Sequence, residues 1–152
     1  MMRRVAGWRA ELAKCAMTLT IILVSSAAVA EDACVSSYGS DKVQAFLADL
    51  QQAVASDKRA DVAKMVAYPI KIRVNEKATT LRDQNNLVKY YDTAFNANVK
   101  QALAKQEFSN LFCNWQGMMV GDGQIWINTD GKSANLRITA INNAPLQKAE
   151  GK

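Results

Sequence analysis

The sequence predicts an α+β domain in which helices pack on one face of an antiparallel sheet. Two observations carry this class. The stretch 107–143, EFSNLFCNWQGMMVGDGQIWINTDGKSANLRITAINN, alternates apolar and polar residues in three segments joined by two glycine-bearing turns. A period of two is the mark of half-buried strands. Upstream, apolar residues recur at spacings of three and four, the mark of helices with one buried stripe.

The first 30 residues stand apart from the fold. Arg3, Arg4, Arg9 and Lys14 make a basic start, Cys15 to Val24 is an apolar run, and Ala28-Val29-Ala30 is a small-x-small cleavage site. This is the anatomy of a secretory signal peptide. The apolar run falls short of the ~20 residues that span a bilayer, which argues against a stable membrane anchor after cleavage. Neither Cys15 nor Cys34 sits in a lipoprotein-type setting. The expectation is export to the periplasm or beyond, with cleavage after Ala30.

Removing 30 of the 152 residues leaves 122, enough for one domain that buries roughly two thirds of its unfolded surface. Four of the 19 basic residues and one of the 14 acidic ones lie in the leader, so the mature chain carries 15 basic against 13 acidic residues. With no Lys/Arg stripe interleaved with aromatics, nucleic acid is not an expected partner. Cys34 and Cys113 are the cysteines left after cleavage. In an oxidising compartment they are expected to pair, tying an N-terminal arm (31–39) to the first long strand. The alternative is two unpaired thiols, one of them buried.

The domain proper is expected over 40–143. Helix one starts near Ser40 or Asp41, both good caps, and buries Val43, Phe46, Leu47, Leu50 and Val54. Asp57 caps a shorter helix carrying Ala60, Val62, Ala63, Met65 and Val66, which Pro69 ends. Ile70, Ile72 and Val74 form a strand, Asn75-Glu76-Lys77 a turn, and Ala78 to Leu81 a return strand. Asp83 caps a long third helix with a stripe of Leu87, Tyr90, Tyr91, Ala94, Phe95, Asn98, Ala102 and Leu103.

Three strands follow. Leu111 to Val120 sets Leu111, Cys113, Trp115, Gly117 and Met119 on one face. Gly121-Asp122-Gly123 supplies the positive φ angles of a hairpin turn. Gln124 to Asn128 sets Ile125 and Ile127 against Gln124, Trp126 and Asn128. Thr129 to Lys132 is a turn. The last strand sets Ala134, Leu136, Ile138 and Ala140 against Asn135, Arg137, Thr139 and Ile141. One face is apolar and the other wetter, as in a sheet covered on one side. Residues 144–152 form a polar tail, and there is no internal repeat.

The order helix, helix, hairpin, long helix, three strands resembles the nuclear transport factor 2-like superfamily, also called cystatin-like. The resemblance covers residues 40–143. The segments YPIKIRV, LVKYYDTAF, NWQGMMVGDGQIWI and ITAINN look like those of small exported bacterial members. It implies a curved sheet wrapping the long helices into a cone. The superfamily holds isomerases, cyclases, dehydratases, transport factors and non-catalytic binders, so the fold implies no single activity.

The chain contains no histidine, which excludes a Ser-His-Asp triad, a Cys-His pair and histidine-based zinc sites. No phosphate-cradling loop is present, because Gly121-Asp122-Gly123 lacks the strand-to-helix context. An isomerase site of the ketosteroid kind needs an inward carboxylate base. Asp83 reads as a cap, Asp122 and Asp130 as turn residues, and Asp49 and Asp92 as lying off the buried stripes. No catalytic, cofactor or metal residue is therefore expected.

The group that stands out is Asn114, Gln116, Trp126, Asn128 and Arg137, with Tyr68 as a candidate neighbour. Neutral hydrogen-bonding groups around an indole, with one cation, suit a small polar ligand or a protein partner. The alternative is an ordinary solvated sheet face. Three functions remain: an exported binding or interaction module, an immunity or inhibitor protein against a periplasmic enzyme, and a small-molecule isomerase or hydrolase using the cone pocket. Pairing of two copies through the sheet is a further option.

Overall fold

The computed structural model describes residues 33–131 and 133–144. The expected leader and all of the expected tail beyond Ala144 lie outside the described residues. Helix α1 spans Ala33–Tyr38, α2 Ser40–Ala55 and α3 Arg59–Lys64. The stretch expected as an N-terminal arm thus carries a short helix. Helix α2 starts at the expected place, but Gly39, with φ of 87°, holds the cap position and no side chain caps it. Val43, Leu47, Leu50 and Val54 are buried in the core and Phe46 packs against it. Asp57 does not cap α3. It turns to φ of 50°, and its carboxylate accepts from Arg59 Nε at 3.1 and 3.2 Å.

Strands β1 (Ile70–Val74) and β2 (Lys77–Leu81) form the expected hairpin. Asn75 and Glu76 both take positive φ, which matches the twist of a two-residue connection. The expected long helix is three short ones: α4 Gln84–Lys89, α5 Tyr91–Ala94 and α6 Ala97–Lys105. Asp83 caps α4 as expected, accepting from Asn86 N at 2.8 Å. The break before α6 has a local cause. Asn96 is extended and its Oδ1 accepts from Val99 N at 3.1 Å, so a side chain restarts the helix where the apolar stripe alone suggested continuity.

The main sheet has the order β3 (Phe112–Asn114), β4 (Gly117–Val120), β5 (Ile125–Thr129), β6 (Leu136–Ile141), all antiparallel. The fold is therefore α+β, with a four-stranded and a two-stranded antiparallel sheet. The expected single strand 111–120 is a hairpin folded at Trp115-Gln116. The fold-back reverses the facing of everything after it. Met118 and Val120 are fully buried, while Met119, expected in the core with Trp115, is only half-buried. A second irregularity lies in β6. Trp126 pairs with Ala140 and Ile127 with Ile138, so Thr139 is an extra residue and Ile141 turns into the core.

One edge of the main sheet is paired and the other is tied by a covalent bond. Beside β6, Ile138 N donates to Met65 O at 2.8 Å and Ala67 N donates to Ile138 O at 2.9 Å. At β3, Cys113 is joined by a disulfide to Cys34 of α1, with Cα atoms 5.7 Å apart. The segment after β6 is clipped by Asn143, which is buried. Its Oδ1 accepts from Arg73 N at 2.7 Å. Its Nδ2 donates to Arg73 O at 2.7 Å and Thr93 O at 2.9 Å, and Asn96 Nδ2 donates to its carbonyl at 2.7 Å. One carboxamide thus joins the β1–β2 hairpin, the α5–α6 segment and the end of the main sheet. Among the described residues, no helix is long and apolar enough to cross a membrane.

Candidate functional site

The group expected to form a binding face divides in two when folded. Asn114, Gln116 and Asn128 come together at the β3–β4 turn. Asn114 Oδ1 accepts from Gln116 N at 2.8 Å, which closes an Asn-initiated turn. Asn128 Nδ2 donates to Gln116 O at 3.0 Å. Asn128 Oδ1 accepts from the Tyr38 hydroxyl at 3.2 Å and from Thr129 N at 2.7 Å. Gly117, with φ of 116°, permits the close approach, since a Cβ there would collide with Ile127 O. The Asn114 and Asn128 side chains hold backbone, whereas Gln116 joins the turn through its main-chain N–H and carbonyl and its side chain is exposed.

What the turn presents is Trp115. Its relative exposure is 86%, and Phe112, in the edge strand β3 that leads into the turn, is 51% exposed. Trp115 was expected on the apolar strand face, and the structure corrects that placement. The signal is present in the sequence. Asn at the first and Gly at the fourth position of Asn114-Trp115-Gln116-Gly117 is a β-turn pattern, masked by the apolar alternation around it.

Trp126 lies in mid-sheet. Register places Phe112 opposite Met119, Met119 opposite Trp126 and Trp126 opposite Ala140. An apolar row therefore crosses all four strands on the side away from the helices, with Trp126 half-buried within it. Arg137 pairs across from Asn128, and its Nη1 donates to Leu136 O at 3.3 Å. Tyr68 does not join the group. Its hydroxyl donates to Ala63 O at 2.9 Å, and burial, reinforced by Asp83, raises its pKa above the usual phenol value.

The acids do not converge on an interior site. Among the described residues, the buried amide and charged side chains are Gln124 and Asn143, and neither titrates. Asp92 is exposed and binds Arg59 through two hydrogen bonds of 2.8 and 3.0 Å. Tyr91 is fully buried, stacked on Phe95 with ring centroids 5.1 Å apart, and its hydroxyl has no hydrogen-bond partner among the described residues. Burial, then Asp57, pushes its pKa up to about 12, partly offset by Arg59. A phenol so held keeps its proton near neutral pH.

No protein-family model matches the chain, and neither a curated protein nor a solved structure matches it. The class is thus set by architecture alone: an α+β domain with helices on one face of a four-stranded antiparallel meander.

Proposed function

We propose that this chain is an exported single-domain binding module that inserts Trp115 into a concave pocket on a protein partner. The observation that carries this reading is a tryptophan at 86% exposure on a turn clamped by Asn114, Asn128 and, through Asn128, Tyr38. Tryptophan is enriched among the few residues that dominate binding energy. A pre-ordered turn also loses little conformational freedom on association. Phe112, Met119 and Trp126 extend an apolar surface beside it, and Arg137 can take a carboxylate through two parallel hydrogen bonds. The Cys34–Cys113 disulfide is compatible with an oxidising compartment and so supports export. The element order supports placing the domain in the nuclear transport factor 2-like superfamily, with the sheet curving into a cone.

A second reading is favoured by the same turn. A protruding, rigid tryptophan also suits an immunity or inhibitor protein that plugs the active site of a periplasmic enzyme. The two readings differ in whether the partner's pocket is catalytic.

The test uses the purified chain and Trp115→Ala as parallel baits in periplasmic extract of the source cell, followed by affinity measurement with the recovered partner. Trp115→Ala is expected to weaken binding by about 30-fold, the equivalent of about 2 kcal/mol, with the melting temperature nearly unchanged. Equal affinity of the two proteins overturns the reading. Recovery of only a second copy of the chain replaces it with a homodimer through the sheet.

A further inference from the structure

A separate cleft of about 450 Å³ lies between α6 and the β4–β5 turn, and neither Trp115 nor any residue of its turn lines it. Its walls are built by polar contacts. Gln106 Oε1 accepts from Gly121 N at 2.8 Å, which ties the turn to the residue after α6. Gln124, only 2% exposed, accepts from Asp122 N at 2.7 Å through its Oε1. Gly121, with φ of 62°, sits so close to α6 that a Cβ would lie 2.8 Å from Ala102 Cβ. The turn is therefore seated on the helix and the cleft is a fixed feature.

We propose that this cleft binds a small zwitterion of the free amino-acid class. Its lining contains Lys105, Glu107 and Asp122, and none of these is in an ion pair among the described residues. Asn98, on the same wall, keeps its Nδ2 buried with no acceptor among the described residues. The three charges sum to −1, which repels a simple anion, while a simple cation would leave the Lys105 ammonium without a counter-charge. Among the described residues, Ala102 is the one apolar side chain of the lining, so an apolar ligand finds few apolar side chains to pack on. A sugar gains its stacking from an aromatic face, and none lines the cleft. A ligand with an ammonium and a carboxylate on neighbouring atoms meets both signs. The ammonium faces Glu107, which also accepts from Asn110 Nδ2 at 3.3 Å, and Asp122; the carboxylate faces Lys105, and Asn98 and Gln101 supply further donors and acceptors.

The test is a nitrogen-15 NMR titration of the full chain with the common L-amino acids, and with acetate, methylamine and glucose as comparators. At least one amino acid is expected to shift the Gly121 and Asp122 amide signals and the side-chain amide of Asn98 at low millimolar concentration. Lys105→Ala and Asp122→Asn, both at exposed positions, are each expected to weaken that response about tenfold. The proposal is overturned if no amino acid moves these signals, if acetate, methylamine or glucose moves them equally, or if both variants respond like the parent. Because Trp115 takes no part in the cleft, Trp115→Ala is expected to titrate as the parent does, which separates this proposal from the partner-binding one.

Discussion

Asn143 and Asn128 both act as carboxamide clips, and they do opposite things. Asn143 is buried and joins three pieces of backbone from the hairpin, the α5–α6 segment and the main sheet. Asn128 is half-buried and, with Asn114, secures one turn whose outward residue is a tryptophan. The chemistry is the same: an amide side chain satisfying main-chain groups. Burial separates the outcomes. Around Asn143 water is excluded, so each lost bond leaves a polar group stranded. Around Asn128 water can replace much of what is lost, and what the clip fixes is the direction of an exposed side chain rather than the fold.

The largest expected effect comes from the covalent anchor behind the second clip. Cys113 is the residue before Asn114, and its bond to Cys34 spans 79 residues. In the chain-entropy account such a loop contributes roughly 4–5 kcal/mol. A Cys34→Ala, Cys113→Ala double variant is expected to lose that much in urea unfolding. A loss below about 1 kcal/mol would show that the edge strand is held by packing instead, and the comparison would then rest on the clips alone.

Next in size is Asn143→Ala. It strands Arg73 N–H and the carbonyls of Arg73 and Thr93. Unpaired buried groups cost about 1–3 kcal/mol each, with relaxation recovering part, so a net loss of about 3 kcal/mol is expected in chemical denaturation. The smallest effect belongs to Asn128→Ala, at about 1 kcal/mol, because its site is partly exposed. Equal losses at Asn143 and Asn128 would break the comparison. A stable Asn128→Ala protein that nevertheless binds partner as weakly as Trp115→Ala would sharpen it, since that result means the clip acts through orientation.

The outline of the fold is legible in the sequence because its signals are local. Alternation at Ile70, Ile72 and Ile125, Ile127, the stripe from Val43 to Val54, the cap at Asp83 and the glycine turn at 121–123 each depend on residues a few positions apart. Two elements depart from expectation for one shared reason. Leu111 to Val120 alternates well enough for one strand, yet Asn114 and Gly117 favour a turn, and the cross-strand pairing of Cys113 with Met118 decides for the hairpin. The stripe from Leu87 to Leu103 suits one helix, yet Asn96 caps a new one, and its Nδ2 is drawn to the Asn143 carbonyl 47 positions away.

The candidate site is legible as residue types but not as roles. Asn114, Gln116 and Asn128 suggest groups facing a ligand, and folding spends the Asn114 and Asn128 side chains on holding the main chain of a turn. The alternation around Trp115 suggests a core position, and folding turns it to solvent.

From the sequence by itself came the α+β class, the strand and helix periods, the expectation that Cys34 pairs with Cys113, which the structure bears out, and the scarcity of groups that titrate near neutral pH. Only the tertiary structure decided which asparagine is buried, which tryptophan is exposed, and that Thr139 is an extra residue turning Ile141 inward. The physical reason is range. Propensity and periodicity act over one or two turns of chain, whereas burial is set by whichever distant segment arrives to cover a surface, and it is burial that fixes what a polar or aromatic side chain does.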